Sequence, residues 1–117
     1  MKNDNDIFPD EKLIHYLNEE SLMVRNAALE VSRDRISLKL LPHIITCLSD
    51  PRSAISARSA LQVYDDEDVV KLLIENVLNQ NIEKSLKIGI IRILKNYPTK
   101  ESIDMLLSVV SPKVPPV

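Results

Sequence analysis

The sequence predicts an all-α protein made of stacked helical hairpins, and three observations support this fold class. The 117 residues include one glycine, whereas the turns of most β architectures need residues that reach positive φ. The composition is 44% hydrophobic but only 3% aromatic, so the core is expected to consist of aliphatic side chains, which fill many small layers well. Apolar residues also recur along the chain with a nearly constant period.

Two series of apolar residues define this period. Steps of 31, 30 and 31 positions give the first series, Leu13, Ile44, Ile74 and Met105. The second series lies four positions later and comprises Leu17, Leu48, Leu78 and Val109. Small polar residues that typically end a helix follow its first three members: Asn18, Ser49 and Asn79. The pattern predicts one helical hairpin per period, and hairpins of this length bury their apolar faces only by stacking.

The first helix of each hairpin, termed the A helix, is predicted at four places: 10–18, 37–48, 67–79 and 100–110. Asp66 and Thr99 are predicted to cap the A helices that follow them. Pro42 lies inside the second A helix, so this helix is expected either to kink at the proline or to begin there.

The second helix of each hairpin, termed the B helix, is predicted at 22–33, 53–64 and 82–96. Asp50 and Pro51 supply an N-cap and an N1 proline for the second B helix. A small residue recurs inside the three B helices: Ala28, Ser59 and Gly89. Glycine inside a helix costs about 1 kcal/mol relative to alanine, and a helix break is the alternative reading. Because the apolar pattern continues on both sides of Gly89, we expect close helix packing there.

The two ends of the chain differ in composition from the repeat region. Residues 1–9 lack the apolar run of a secretory signal and are predicted to form a flexible N-terminal segment. Residues 111–117, SPKVPPV, hold three prolines and are predicted to form an extended tail. No run approaches the roughly 18 apolar residues that a membrane-spanning helix needs. We expect a cytoplasmic protein that does not enter a membrane.

The last hairpin has an A helix but no B helix before the proline-rich tail. Without a B helix to cover it, this A helix is expected to expose an apolar side around Leu106 and Val109. Self-association through this surface is therefore a prediction.

Few residues suggest catalysis, a metal site or a cofactor, and the sequence predicts a protein that is not an enzyme. His15 and His43 fall at non-equivalent places in successive A helices and are interpreted as structural histidines. Cys47, the only cysteine, lies in an apolar run and is predicted to be a buried, inert thiol. The acidic cluster at 65–68 lacks the alternating ligands and glycine of a calcium loop, so it is interpreted as a helix N-terminus.

Two segments, LNEESLMVRNAALEV and LSDPRSAISARSALQV, resemble the HEAT repeat, most closely the short bacterial variant named for phycobilisome lyases. Asp50-Pro51 matches the turn of that repeat, and Val24-Arg25 matches the start of its second helix. Ile55-Ser56 and the third turn, NQNIEKSLK, depart from the pattern. The resemblance implies a right-handed α-α superhelix of about three and a half hairpins over 10–110. It also implies a scaffold that holds other proteins, with the B helices lining its concave surface.

The charges are distributed unevenly between the two kinds of helix. The predicted B helices carry seven basic residues, Arg25, Arg33, Arg58, Lys84, Lys87, Arg92 and Lys95. Against these stand only Glu30 and Glu83, which gives a net charge of +5 in a chain whose total is −2. One interpretation is a set of solvated helix faces. The other is a basic concave groove that binds an acidic partner segment through Arg25, Arg58, Lys87 and Arg92, with Asn26 and Gln62 adding neutral hydrogen bonds.

Three hypotheses for function follow. The first is a non-catalytic protein-binding scaffold that holds an acidic partner on the B-helix surface. The second is a nucleic-acid-binding protein that uses the same groove, although the pI near 5.7 and the absence of tryptophan for base stacking argue against it. The third, implied only by the resemblance, is an accessory subunit like those of phycobilin lyases.

Overall fold

Seven α-helices make up the part of the chain that the computed structural model describes, residues 9–110, with side chains to residue 108. They are α1 (Asp10–Leu17), α2 (Leu22–Ser32), α3 (Leu41–Thr46), α4 (Pro51–Leu61), α5 (Asp66–Leu78), α6 (Lys84–Leu94) and α7 (Lys100–Val110). A 3-10 turn, Cys47–Ser49, continues α3. Residues 9–110 contain no strand, so the predicted all-α class is confirmed. The odd-numbered helices correspond to the predicted A helices and the even-numbered ones to the B helices.

Polar side chains cap several of these helices as the sequence predicts. The Asp50 carboxylate accepts a hydrogen bond from the backbone N–H of Arg52 at 2.9 Å, with Pro51 as the first residue of α4. The Thr99 hydroxyl accepts from the backbone N–H of Ser102 at 3.1 Å at the start of α7. Each bond satisfies one of the backbone donors that a helix start leaves without an intrahelical partner.

The prediction for Asp66 is wrong, because the N-cap position of α5 belongs to Asp65. The Asp65 side chain makes no capping hydrogen bond. Asp66 is instead the first residue of the helix, followed by Glu67 and Asp68 in the first turn. Three carboxylates at that end interact favourably with the positive end of the helix dipole, so the acidic cluster does mark a helix N-terminus.

The second A helix begins later than the predicted residue 37. The chain enters α3 at Leu41 with Pro42 in its first turn, so the proline starts the helix and does not kink it. Just before it, the Tyr64 hydroxyl donates to the Ser37 carbonyl at 2.9 Å and accepts from its backbone N–H at 3.1 Å. The Ser37 hydroxyl donates to Asp10 at 2.7 Å. These contacts satisfy the polar groups of this loop without a helix.

The helices pack in two rows. The odd-numbered helices contact one another in succession from α1 to α7, and the even-numbered helices do so from α2 to α6. Hairpin partners also contact each other in the pairs α1 with α2, α3 with α4 and α5 with α6. Both rows contribute fully buried aliphatic side chains, among them Leu13, Leu29, Ile44, Ile45, Leu61, Leu73, Ile90 and Leu94. Burial of each such side chain contributes about 2 kcal/mol to folding.

The register of the buried layer shifts in α5. Leu48 is buried as predicted, but Leu78, its expected successor, is 66% exposed. Leu73 and Val77 are buried instead, one position before each predicted residue. The step from Leu48 to its buried counterpart Val77 is therefore 29 positions rather than 30. A one-residue shift rotates a helical position by about 100° and moves it from the core to the surface.

The predicted close packing at Gly89 is confirmed. A Cβ atom at Gly89 would lie 2.2 Å from the backbone carbonyl oxygen of Leu48. The backbone of α6 therefore packs directly against the backbone of the 3-10 turn. Any larger residue at position 89 would force one of the two backbones to move. Of the other two small positions, Ala28 is buried and Ser59 is half-buried.

The longest helix in this part of the chain has 13 residues, and none of the described helices has the length and hydropathy of a membrane span. The predicted N-terminal segment lies, apart from Pro9, outside the described residues. The predicted proline-rich tail also lies outside them.

Candidate functional site

Arg25, the first candidate, is engaged in holding the fold. Its guanidinium donates to the Asp50 carboxylate at 2.6 Å and to the Glu19 carbonyl oxygen at 3.1 Å. Only 13% of the Arg25 side chain is exposed. It therefore fastens α2 to the turn before α4. Its neighbour Asn26 is half-buried, and the amide oxygen of Asn26 is buried without a hydrogen-bond partner among the described residues.

Asp50 is the centre of this contact and carries a perturbed pKa. Hydrogen bonds from the Arg52 side chain and backbone, with the nearby charge of Arg25, lower the pKa of Asp50 from the usual 3.8 to about 2. The carboxylate accepts from Arg52 Nη2 at 3.0 Å in addition to its bond with Arg25. Two of the basic residues of the even-numbered row are thus already paired with one carboxylate.

Arg58 and Arg92 lie in different surroundings, in a groove between α4 and α6. A hollow of about 310 Å³ is lined by both arginines and by Ile55 and Ile88. Gly89 also lines this hollow, at its close approach to the 3-10 turn. Among the described residues neither arginine forms an ion pair, in contrast to Arg25. The hollow combines apolar walls with two available cations.

A second, smaller hollow of about 200 Å³ extends from Arg58 to the C-terminal ends of α4 and α6 and the start of α5. It is lined by Arg58, Gln62, Asp66, Ile93, Asn96 and Tyr97. The structure thus brings together three of the six candidates, Arg58, Gln62 and Arg92, around one groove. Burial raises the pKa of Tyr97, with the charge of Asp66 adding to this effect. We name the two hollows together the α4–α6 groove.

The remaining candidate, Lys87, is half-buried on α6 and lines neither hollow. It still contributes to the charge of the row. The even-numbered helices as observed carry six basic residues and one acidic residue, a net charge of +5. Of these six basic residues, Arg25 and Arg52 are paired to Asp50, and the other four, Arg58, Lys84, Lys87 and Arg92, have no ion-pair partner among the described residues and lie on α4 and α6.

Sequence reasoning did not identify the apolar residues of the groove. Ile55 is 73% exposed and Ile88 is 43% exposed, and both are large hydrophobic residues on a surface that is otherwise basic. Their exposure was not recognisable from the sequence, because aliphatic residues inside a helix are normally assigned to its core side. The departure of Ile55-Ser56 from the repeat pattern is the one signal that pointed to this position.

In the odd-numbered row, the surface between α5 and α7 is acidic. A hollow of about 540 Å³ between α5 and α7 is lined by three carboxylates and one lysine: Glu67, Glu75, Glu101 and Lys71. Its apolar lining comes from Val70 and Ile74. The larger hollow is therefore acidic, so an anionic segment is expected to avoid it and to favour the α4–α6 groove.

The histidines and the cysteine show no arrangement typical of catalysis. Cys47 is buried, and desolvation raises the pKa of its thiol to about 11, as expected for an inert cysteine. The thiol donates to the Leu17 carbonyl oxygen at 3.5 Å. His15 is exposed and lies 3.2 Å from the Glu19 carboxylate at i+4, a pairing that sequence reasoning missed. Residues 9–110 contain no cluster of three or more His, Cys, Asp or Glu that could hold a metal ion.

The last helix exposes apolar residues as expected, but on a partly different side. Ile103 is 49% exposed and Leu107 is 58% exposed, whereas the predicted Leu106 is half-buried. The side chain of Val109 lies outside the described residues. Self-association through this helix stays a prediction.

Comparison of the chain with family models, with curated proteins and with solved structures finds no match. Its function is therefore inferred from the residues of the groove.

Proposed function

We propose that this chain is a non-catalytic scaffold of stacked, HEAT-like helical hairpins that binds an acidic segment of a partner protein in the α4–α6 groove. The proposal depends on the observation that some arginines have a carboxylate partner and others do not. Arg25, Arg35 and Arg52 each have a carboxylate partner, at 2.6, 3.3 and 3.0 Å. Arg58 and Arg92 have none among the described residues and line a groove with apolar walls.

Two physical reasons favour an anionic partner here. An arginine beside an apolar surface is less hydrated than one in open solvent, so a carboxylate that reaches it gains more from the contact. The guanidinium also offers paired donors that match the two oxygens of a carboxylate. The protein partner is preferred to a nucleic acid because the chain has a net charge of −2, which opposes a long polyanion.

The finer architecture belongs to the same proposal. Contacts within two rows of helices support stacked hairpins. The right-handed α-α superhelix, with the even-numbered row on its concave surface, is what the resemblance to HEAT repeats implies. The cap and proline at Asp50-Pro51, where the resemblance to HEAT repeats is closest, also support it.

The test is recovery of binding partners from cells with the natural chain and with Arg58→Glu/Arg92→Glu. Bound material is compared with and without nuclease, and circular dichroism verifies that the variant keeps its helix content. The control is Lys71→Glu, an equal charge change per site at an exposed position of α5, in the opposite row. We expect a discrete set of proteins with the natural chain and the control, and its loss with the double variant.

Unchanged protein recovery with Arg58→Glu/Arg92→Glu would refute the groove as the binding site. Recovery of RNA or DNA that nuclease removes, in place of protein, would favour the nucleic-acid hypothesis and contradict the proposal. The salt dependence of binding separates these outcomes further, since each phosphate contact adds to the salt slope.

A further inference from the structure

Six side chains that line the α4–α6 groove can be grouped into three pairs by chemical type and by order along the chain, each with one residue from α4 or its C-cap and one from α6 or the turn after it. The apolar pair is Ile55 with Ile88, the arginine pair is Arg58 with Arg92, and the amide pair is Gln62 with Asn96. Along α4 and along α6 the pairs follow in the same order. The first two pairs line the larger hollow, and Arg58 also borders the smaller one, where the amide pair lies.

Each pair favours a different chemical group. The apolar pair consists of side chains that are 73% and 43% exposed, so covering them with an aliphatic group removes apolar area from water. The arginine pair offers charged donors to a carboxylate. The amide pair lies beside Asp66, whose carboxylate accepts hydrogen bonds. A donor side chain such as glutamine is therefore favoured at the third position.

The arginine pair has donors that the described part of the chain leaves without an acceptor. The Nε of Arg58 is buried and has no hydrogen-bond partner among the described residues. An unsatisfied buried donor on a charged group is costly. The Nε of Arg25 is in the same state, so what distinguishes the groove is that Arg58 and Arg92 have no carboxylate partner among the described residues, and a carboxylate of the partner segment would supply one.

The spacing of the pairs indicates the shape of the partner. Successive members of each series are separated by three or four residues along the chain, which is a rise of about 4.5 to 6 Å where the backbone is helical. Side chains at i, i+4 and i+7 of another helix share one face and repeat at nearly the same interval. Side chains on one face of a strand repeat every 6.4 to 6.8 Å or so and lose register over three pairs.

We infer that the partner segment is an amphipathic helix that presents an aliphatic, an acidic and a hydrogen-bond-donating side chain at successive turns, in that order. This inference rests on the proposed function and makes it specific. The order decides recognition, because an aliphatic group opposite the arginine pair leaves that pair without an acceptor and leaves the apolar pair in water.

The test uses three blocked, alanine-based helical peptides as probes. The first carries Leu, Glu and Gln at i, i+4 and i+7. The second carries Glu, Leu and Gln at the same positions and has the same composition. The third carries Leu, Gln and Gln. Dissociation constants are measured by nitrogen-15 NMR titration of the natural chain and of Arg58→Gln/Arg92→Gln.

We expect the first peptide to bind about tenfold more tightly than either of the others. The double variant should bind the first and third peptides equally, because the carboxylate no longer meets an arginine. Since Ile55 is exposed, Ile55→Gln should retain the fold and weaken the first peptide more than the second.

Two other outcomes would each overturn the inference in a distinguishable way. Equal binding of the first and second peptides, with both weakened by Arg58→Gln/Arg92→Gln, would reject the ordered pairs and leave charge recognition in the groove intact. Equal binding of all three peptides to both proteins, or binding of none, would reject the ordered pairs and the proposed function together.

Discussion

The two junctions along the even-numbered row are held together in different ways. Where α2 meets α4, the half-buried ion pair of Arg25 with Asp50 joins the helices at 2.6 Å. Where α6 meets α4 and the turn before it, the contact is a backbone approach at Gly89, and the nearby Arg58 and Arg92 form no ion pair among the described residues. One junction uses its arginine for stability, whereas the other leaves its arginines available.

This difference distinguishes Arg25 from Arg58 and Arg92, which the charge distribution alone placed in one group of candidate residues. Arg25 is a structural residue, because truncating it removes a positive charge that stabilises the Asp50 carboxylate. It also leaves the Glu19 carbonyl oxygen without this hydrogen-bond donor. Arg58 and Arg92 have no comparable partner to lose. Substitutions at the first junction should therefore reduce stability, and substitutions at the arginines of the second should reduce binding.

The largest effect is expected from Gly89→Ala, which tests whether the second junction depends on backbone contact. The added Cβ would lie 2.2 Å from the Leu48 carbonyl oxygen, a backbone atom that moves only with the 3-10 turn. We expect a loss of about 2 to 3 kcal/mol in the free energy of unfolding, despite the gain in helix propensity. Urea denaturation followed by circular dichroism measures it. A variant as stable as the natural chain would contradict the close packing.

The next effect is expected from Arg25→Ala, at the first junction. Removing the guanidinium breaks charge-assisted hydrogen bonds to Asp50 and Glu19, with an expected cost of about 1 to 2 kcal/mol. A double-mutant cycle with Asp50→Ala isolates the coupling between the two side chains. Additive losses in that cycle would mean that the ion pair does not contribute to the junction.

A smaller effect at the same junction should appear as a pH dependence. The pKa of Asp50 is about 2 in the folded chain and 3.8 for an ordinary aspartate, so between these values unfolding takes up a proton. Stability from this group is complete above about pH 5 and is lost as the pH falls toward 2. Urea midpoints measured between pH 5 and pH 2 should fall less for Asp50→Asn than for the natural chain. Equal slopes would show that Asp50 is not held ionised by its arginine neighbours.

The smallest effect on stability is expected from Arg92→Ala, at the second junction. Arg92 is exposed and has no ion-pair partner among the described residues, so the free energy of unfolding should change by less than about 0.5 kcal/mol. Urea denaturation followed by circular dichroism measures this free energy, with Arg25→Ala as the comparison. A loss as large as that of Arg25→Ala would remove the contrast between the two junctions.

Much of the fold could be predicted from the sequence, because it depends on local signals. The order of helices follows from the apolar period, and the cap at Asp50 and the close packing at Gly89 follow from single residues with strong backbone preferences. The start of α3 near Pro42 was one of two alternatives that the proline left open. The register of α5 could not be predicted in this way. Leu78 and Val77 are both apolar, and only tertiary packing selects which of them is buried.

The candidate site was predictable only in part, for a related reason. Sorting charges by helix identified the basic row, and three of the six candidates line the α4–α6 groove. The same sorting could not separate Arg25 from Arg58, because the carboxylate that engages Arg25 lies 25 residues away in a turn. The exposure of Ile55 and Ile88 could not be predicted either, since a periodic pattern assigns every aliphatic residue to the core.

The most direct test of the contrast between the junctions is a nitrogen-15 NMR titration of the natural chain with the blocked peptide that carries Leu, Glu and Gln. We expect the largest amide shifts at 55–62 and 88–96, and little change around Arg25 or at the acidic hollow between α5 and α7. Shifts centred on Arg25 or on that hollow, or an unchanged spectrum at millimolar peptide, would contradict it.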